Sequence, residues 1–144
     1  MTASRIWTTA LVGLALGGLV ATASADQQSS AGTIITALLE QPLPMRDAAV
    51  AGMITVEYAP GAGTPPHTHP ADTFVYVLHG AVEMQVAGGE LKVLQQGETF
   101  YEKPSDRHVV SRNASQTERA KFLVMFVKEK NAELLVPDKS PATP

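Results

Sequence analysis

The chain has 144 residues, of which 44% are hydrophobic and 17% charged, and it carries a formal net charge of −3. That is room for one packed domain, and the balance is too apolar for a disordered chain. The absence of cysteine excludes disulfides, thiolate metal sites and cysteine nucleophiles, and an acidic balance without a basic cluster excludes a nucleic-acid partner.

Residues 1–25 stand apart from the rest. Met1 to Arg5 is a short basic start, Ile6 to Val20 is mostly apolar, and Ala23-Ser24-Ala25 precedes Asp26 in a small-x-small pattern. This is the layout of a secretory signal peptide. The apolar run is short and Gly-rich for a spanning helix, which needs about 20 residues. Cleavage would leave a periplasmic or secreted protein with no membrane contact; an uncleaved anchor would export the domain as well. Residues 26–33 are polar and small and read as a flexible leader.

From there the pattern is that of strands. Thr33 to Leu39 makes a first one, broken by Gln41-Pro42-Leu43-Pro44. Ile54, Val56 and Tyr58 alternate with Thr55 and Glu57, which predicts a strand over 49–59. Pro60-Gly61-Ala62-Gly63 is a turn. Phe74 to Leu78 is a near-continuous apolar strand closed by His79-Gly80, and His79 reads as a surface residue at its end. Val82, Met84 and Val86 alternate with Glu83 and Gln85, Gly88-Gly89 turns the chain, and Leu91 to Leu94 returns. Thr99 to Glu102 is a short strand before Pro104. His108 to Ser111 is another, followed by a turn at Arg112 to Ser115. Ala120 to Lys128 is long and apolar on both faces, suited to burial between sheets or to a dimer interface. A proline-rich tail covers 137–144. Short strands punctuated by Gly and Pro, with no helical period, predict an all-β sandwich or barrel.

Two of the four histidines, His67 and His69, lie one residue apart. On a strand such residues share a face, about 6–7 Å apart at the backbone. Their imidazoles can then converge on one metal ion at about 2.0–2.1 Å. Pro65, Pro66 and Pro70 argue against a helix here. The pair reads as half of a metal site, and His108 is the candidate for the rest.

The residues around these histidines resemble the two motifs of the cupin superfamily. Gly61, five residues, His67-x-His69 and Gly80 fall in the first motif. Gly97 and His108 fall in the second, with Pro104 as its turn proline, Lys103 and Ser105 where Pro and Gly are usual, and Asn113 one residue late. The resemblance covers nearly the whole chain after the leader. It implies a single cupin domain over 34–136, a double-stranded β-helix or jelly-roll barrel. It also implies one divalent metal held by His67, His69 and His108. Ligands without cysteine suit Fe, Mn, Zn, Ni or Cu, with Fe favoured for an oxygenase.

One departure stands at Thr73, where most metal-binding cupins have Glu. Three neutral imidazoles would leave the metal its full +2 charge, an attraction for an anionic or enolisable oxygen ligand. Asp72 is a substitute ligand to weigh, although neighbouring strand residues face opposite ways; Glu102 ranks below it. Thr73, Tyr58, Tyr76 and Tyr101 are candidates for the pocket wall. The resemblance to three-histidine members implies an exported, metal-dependent oxygenase-type enzyme acting on a small enolisable or diketone-like substrate. It puts oxalate oxidase or decarboxylase activity in doubt, since those members have the four-ligand pattern. A non-catalytic cupin binding a small molecule, or a redox-neutral isomerase or lyase, stays open. Many cupins are dimers, so the resemblance also allows a homodimer.

Overall fold

The computed structural model describes residues 27–46, 48–104 and 106–138, and among these the chain forms strands and no helix. The expected signal peptide (1–25) and most of the expected tail (137–144) lie outside the described residues. In chain order the strands are β1 (Gln27–Ser30), β2 (Thr33–Pro42), β3 (Ala49–Tyr58), β4 (His67–Thr68), β5 (Ala71–His79) and β6 (Ala81–Val86). Then follow β7 (Lys92–Gln95), β8 (Thr99–Glu102), β9 (Arg107–Asn113), β10 (Ala120–Glu129) and β11 (Val136–Pro137). They make two antiparallel sheets, one ordered β1-β2-β3-β10-β5-β8 and the other β11-β4-β9-β6-β7. This is the jelly-roll arrangement, in which crossovers between the sheets close a barrel around one core.

Alternation decides which side chains fill that core. Val50, Ile54, Val56 and Tyr58 of β3 are buried, and so are Phe122, Val124 and Phe126 of β10. Across the ladder Phe122 lies opposite Val56, Val124 opposite Ile54, and Phe126 opposite Gly52. Gly52 makes room for the Phe126 ring: a Cβ there would stand 2.3 Å from the ring's Cζ. Each such buried apolar side chain is worth roughly 1.5–3 kcal/mol of transfer free energy. Both faces of β10 are apolar, but only one packs inward; Leu123 is half-buried and Met125 exposed on the outside.

Three elements differ from the sequence expectation. The 26–33 stretch, expected as a flexible leader, pairs as β1 with β2 from Gln27–Thr36 to Ser30–Thr33. Its turn is Ala31-Gly32, with φ of 40° and 82°, the positive values that a two-residue hairpin needs. Backbone pairing makes this strand, so polar side chains gave no periodic signal. The second strand runs on through Pro42, which as the last residue of its strand costs no interior ladder bond. The third difference is at Arg112-Asn113, expected as a turn: β9 continues through Asn113, and the turn follows it.

Asn113 is a buried peg. Its Nδ2 donates to the carbonyls of Ala59 (3.0 Å) and Glu118 (2.7 Å), and its Oδ1 accepts from the Ser115 amide at 2.9 Å. His108 and Asn113 both face inward although they are five residues apart, an odd separation that a regular strand would split between faces. The ladder to β6 explains it. Val110 pairs with Gln85 while His108 pairs with Val86, so Val109 is the extra residue of a β-bulge. The bulge absorbs the one residue by which Asn113 falls late.

Candidate metal centre

His67 on β4 lies directly opposite His108 on β9. Their rings are stacked, with centroids 5.1 Å apart and planes at 25°. His69 falls just beyond β4 and presents its ring edge-on to His67, centroids 4.7 Å apart. The structure therefore brings together the three histidines singled out in the sequence.

Hydrogen bonds fix how two of these rings are turned. His67 Nδ1 lies 2.7 Å from the Pro65 carbonyl, and His69 Nδ1 lies 2.5 Å from the Leu134 carbonyl. A carbonyl can only accept, so each Nδ1 carries the proton and, in the neutral ring, Nε2 keeps its lone pair. Burial holds His67 neutral, pushing its pKa down to about 4 against the opposing pull of the Pro65 carbonyl. The two Nε2 atoms nevertheless approach to 3.1 Å. Two bare lone pairs repel at that distance unless an electrophile lies between them. Backbone carbonyls on the far nitrogen are also what orients imidazole ligands in metal sites.

The fourth member is Glu102. It sits on β8 directly opposite Thr73 of β5, so the two share the inner face of that ladder. Its carboxylate is buried, with Oε2 2.9 Å from His108 Nε2 and 3.5 Å from His69 Nε2. Close as they are, neither Glu102 Oε2 nor either His108 nitrogen is aligned in a hydrogen bond. Unpaired buried polar atoms of this kind cost about 1–3 kcal/mol each. Two donors held 2.1 Å from one ion and 90° apart stand roughly 3.0 Å from each other. The approaches between these atoms, 2.9, 3.1 and 3.5 Å, are of that size. Among the described residues no group of three or more such side chains stands as a ready-made ligand cage; the donors meet in pairwise approach. Donor types, spacings and orphaned atoms all fit a single divalent ion.

The other sequence candidates fall on two sides of the sheet. Tyr58 and Thr73 line the cavity beside the histidines. Asp72 does not reach it. Strand alternation turns Asp72 to the outer face, where it accepts a hydrogen bond from the Tyr101 hydroxyl at 2.6 Å. Tyr76 and Tyr101, expected on the pocket wall, stand with Phe74 on the same outer face and are exposed there. Phe74 packs its ring against Tyr101, centroids 5.1 Å apart. The carboxylate that approaches the histidines is Glu102, the lower-ranked of the two, and not Asp72. What marks Glu102 is its place across the ladder from Thr73, which becomes visible once β5 and β8 are paired in register.

The histidines and Glu102 open onto a cavity of about 520 Å³ between the sheets. Its walls are mainly apolar, with Ile54, Val56, Val75, Met84, Phe122 and Val124 among them. The Tyr58 hydroxyl bonds to those of Thr64 (2.7 Å) and Ser111 (3.0 Å). Burial pushes the Tyr58 phenol above its ordinary pKa, so it stays protonated. The segment around Leu134 covers one side of the cavity. It is held there by the His69 bond and by β11 pairing with β4.

Comparisons with known proteins bear on the family and the fold. The family model described as "Cupin domain" matches residues 54–126. Germin-like protein 1-1 of Oryza sativa subsp. japonica is 37% identical over 60 residues, 41% of this chain and 28% of that protein. The rhicadhesin receptor of Pisum sativum is 35% identical over 74 residues, 48% of this chain and 34% of that one. The matches thus span about a third of these curated relatives' length. Among solved structures, a recombinant oxalate oxidase in complex with glycolate superposes with a TM-score of 0.52 at 29% identity, over 60% of this chain and 45% of the other. KdgF from Halomonas sp. gives a TM-score of 0.58 over 74% of this chain and 88% of its own, and at 21% identity this is a likeness of fold.

Proposed function

The chain belongs to the cupin family, its relatives point to a metal-type cupin, and on that premise we propose an exported enzyme with one divalent metal held by His67, His69, His108 and Glu102. Its activity is of the oxygenase type, on a small enolisable or diketone-like substrate; because Glu102 stands beside the histidines, oxalate-type chemistry is no longer set aside as it is for a three-histidine set, and that is the second reading. The observation that carries the metal reading is the convergence of His67, His69, His108 and Glu102, with Glu102 Oε2 and both His108 nitrogens buried and lacking an aligned partner. Fe, Mn, Zn, Ni and Cu all suit imidazole with carboxylate. Export rests on the signal-like character of residues 1–25.

When bound, such a metal supplies Lewis acidity and, as Fe(II), a place for dioxygen. The chain's own groups do the rest. Glu102 lowers the charge of the centre, leaving one positive charge where three imidazoles alone would leave two. The Pro65 and Leu134 carbonyls keep His67 and His69 turned inward. The apolar walls exclude water and orient the body of the substrate, and the Tyr58–Thr64–Ser111 hydroxyls offer a polar contact on the same cavity surface.

Elemental analysis of protein purified without added chelator tests the centre. Near-stoichiometric metal is expected, lost in His67→Ala and in His108→Ala while the fold is kept. A folded, metal-free protein indifferent to both changes overturns it. For the chemistry, the iron-loaded protein should take up O₂ only when a β-diketone is present. Turnover without O₂ on Zn or Mn would assign a redox-neutral lyase or isomerase instead, and a ligand recovered unchanged would assign a binding protein.

A further inference from the structure

The two sheets turn different chemistry outward. At the centre of the five-stranded sheet, Arg112 of β9 is bonded to Glu83 of β6 at 2.6 Å on the outer face. The six-stranded sheet does the reverse. Ladder register sets Leu39, Met53, Met125, Phe74 and Tyr101 side by side across β2, β3, β10, β5 and β8. Alternation turns this row outward, and Tyr76 stands one step along β5 on the same face. Met53 is half-buried; Leu39, Met125, Phe74, Tyr76 and Tyr101 are each between 39% and 50% exposed.

With about 200 Å² for a side chain of this size, the row and Tyr76 expose roughly 450 Å² of contiguous, mainly apolar surface, the size of patches that serve interactions. A standard interface covers about 800 Å² on each partner, and in homodimers about 65% of it is apolar. The row supplies most of that apolar share. It holds no lysine, arginine, aspartate or glutamate, so it meets its own copy without repulsion and offers nothing to an anionic surface.

Charges stand instead at the two ends of the strands. At one end Arg119 (2.9 Å) and Lys121 (3.9 Å) share the carboxylate of Glu57, which leaves one positive charge in excess. At the other end Asp72 and Glu129 lie on the same face and are negative. Lys128 and Lys103, near that end, already have partners in Glu40 and Asp106. Lys121 and Glu129 flank Met125 at equal distance along β10. A two-fold axis along the row exchanges the ends and sets Lys121 of each copy against the partner's Glu129.

We infer that the outer face of the six-stranded sheet is the interface of a homodimer, its two-fold axis lying along the row from Leu39 to Tyr101. The interface is separate from the cavity and does not depend on the metal.

Sedimentation equilibrium on the purified full chain tests it. The parent should be a dimer at micromolar concentration. Phe74→Glu and Met125→Glu, on different strands, each bring two like charges together at the axis. Each should weaken association at least ~30-fold, with the circular dichroism of the folded parent retained. Lys121→Glu should weaken it by ~5-fold, and adding Glu129→Lys should restore the parent value. A parent that stays monomeric well above micromolar concentration overturns the dimer. Folded Phe74→Glu and Met125→Glu that associate like the parent overturn the choice of face. A charge exchange that restores nothing overturns the axis.

Discussion

The two faces of the β5–β8 ladder carry similar chemistry to opposite ends. Outside, Asp72 and Tyr101 are hydrogen-bonded at 2.6 Å beside the exposed Phe74 ring. Inside, Thr73 and Glu102 are almost fully buried, and the carboxylate lies 2.9 Å from a histidine. Each face thus sets a carboxylate beside a hydroxyl-bearing side chain. Asp72 is covalently next to Thr73 and yet on the other side of the sheet. Glu102 is 29 positions away and shares its face. In a strand, the near neighbour in sequence is remote in function, and the cross-strand partner is close. A site that lacks a carboxylate at residue 73 can regain one from the opposite strand at little cost to the backbone.

The strongest way to break this contrast is to neutralise the inner carboxylate. In Glu102→Gln, metal affinity should fall by at least ~100-fold, since even the outer-shell partners of metal ligands are worth about 10–100-fold. The metal-free protein should meanwhile be unchanged in stability or gain about 1 kcal/mol, because a buried, poorly bonded charge has been removed. The two readouts together are diagnostic. If Glu102 were only the partner of a charged His108, the same change would destabilise the metal-free chain and leave metal content where it was. Chelator competition and thermal unfolding with and without metal distinguish the two.

A smaller effect sharpens the comparison from the other sheet. Val109 is the bulge residue that lets His108 and Asn113 share a face. Its deletion closes the spacing from five to four, which a regular strand accommodates without turning His108 outward. Metal stoichiometry should persist, and unfolding free energy should move by no more than about 2 kcal/mol. Loss of metal on this deletion would mean that the bulge, and not strand parity, aims the imidazole.

Much of the fold was legible because alternation in β3 and β6 is a direct image of burial, whereas β10 is apolar on both faces and showed its inward side only once packed. The histidines were legible through their spacing from Gly61, Gly80 and Gly97. Parity also separates two of the pocket candidates: Thr73 and Tyr76 are three apart on one strand, so they cannot both face the cavity. What the chain did not disclose lies in strand pairing. Glu102 acquires its meaning from register with β5, β1 is made by backbone bonds along a polar stretch, and the Leu134 carbonyl reaches His69 from 65 positions away. Tyr101 looks like a pocket aromatic until β8 is placed, after which its neighbour Glu102 takes the inner face.

The outer pair should give the smallest effect, and a distinct one. Asp72→Asn and Tyr101→Phe each remove a partner of an exposed bond that touches no inner donor. Metal content and chelator competition should match the parent in both. The change should appear instead in the phenol. Accepting from the hydroxyl and lying beside it as a charge, the Asp72 carboxylate holds the Tyr101 pKa above its ordinary value. Ionising the phenol there places two negative charges together and breaks the bond. Asp72→Asn removes the charge, so the Tyr101 transition should move down toward the ordinary value near 10. Ultraviolet titration of phenolate measures it, with the component that vanishes in Tyr101→Phe identifying the residue among the three tyrosines. A downward shift with bound metal unaltered places Asp72 outside the centre. Metal lost in Asp72→Asn would instead require that the carboxylate on the outer face reach through the sheet, which strand geometry forbids.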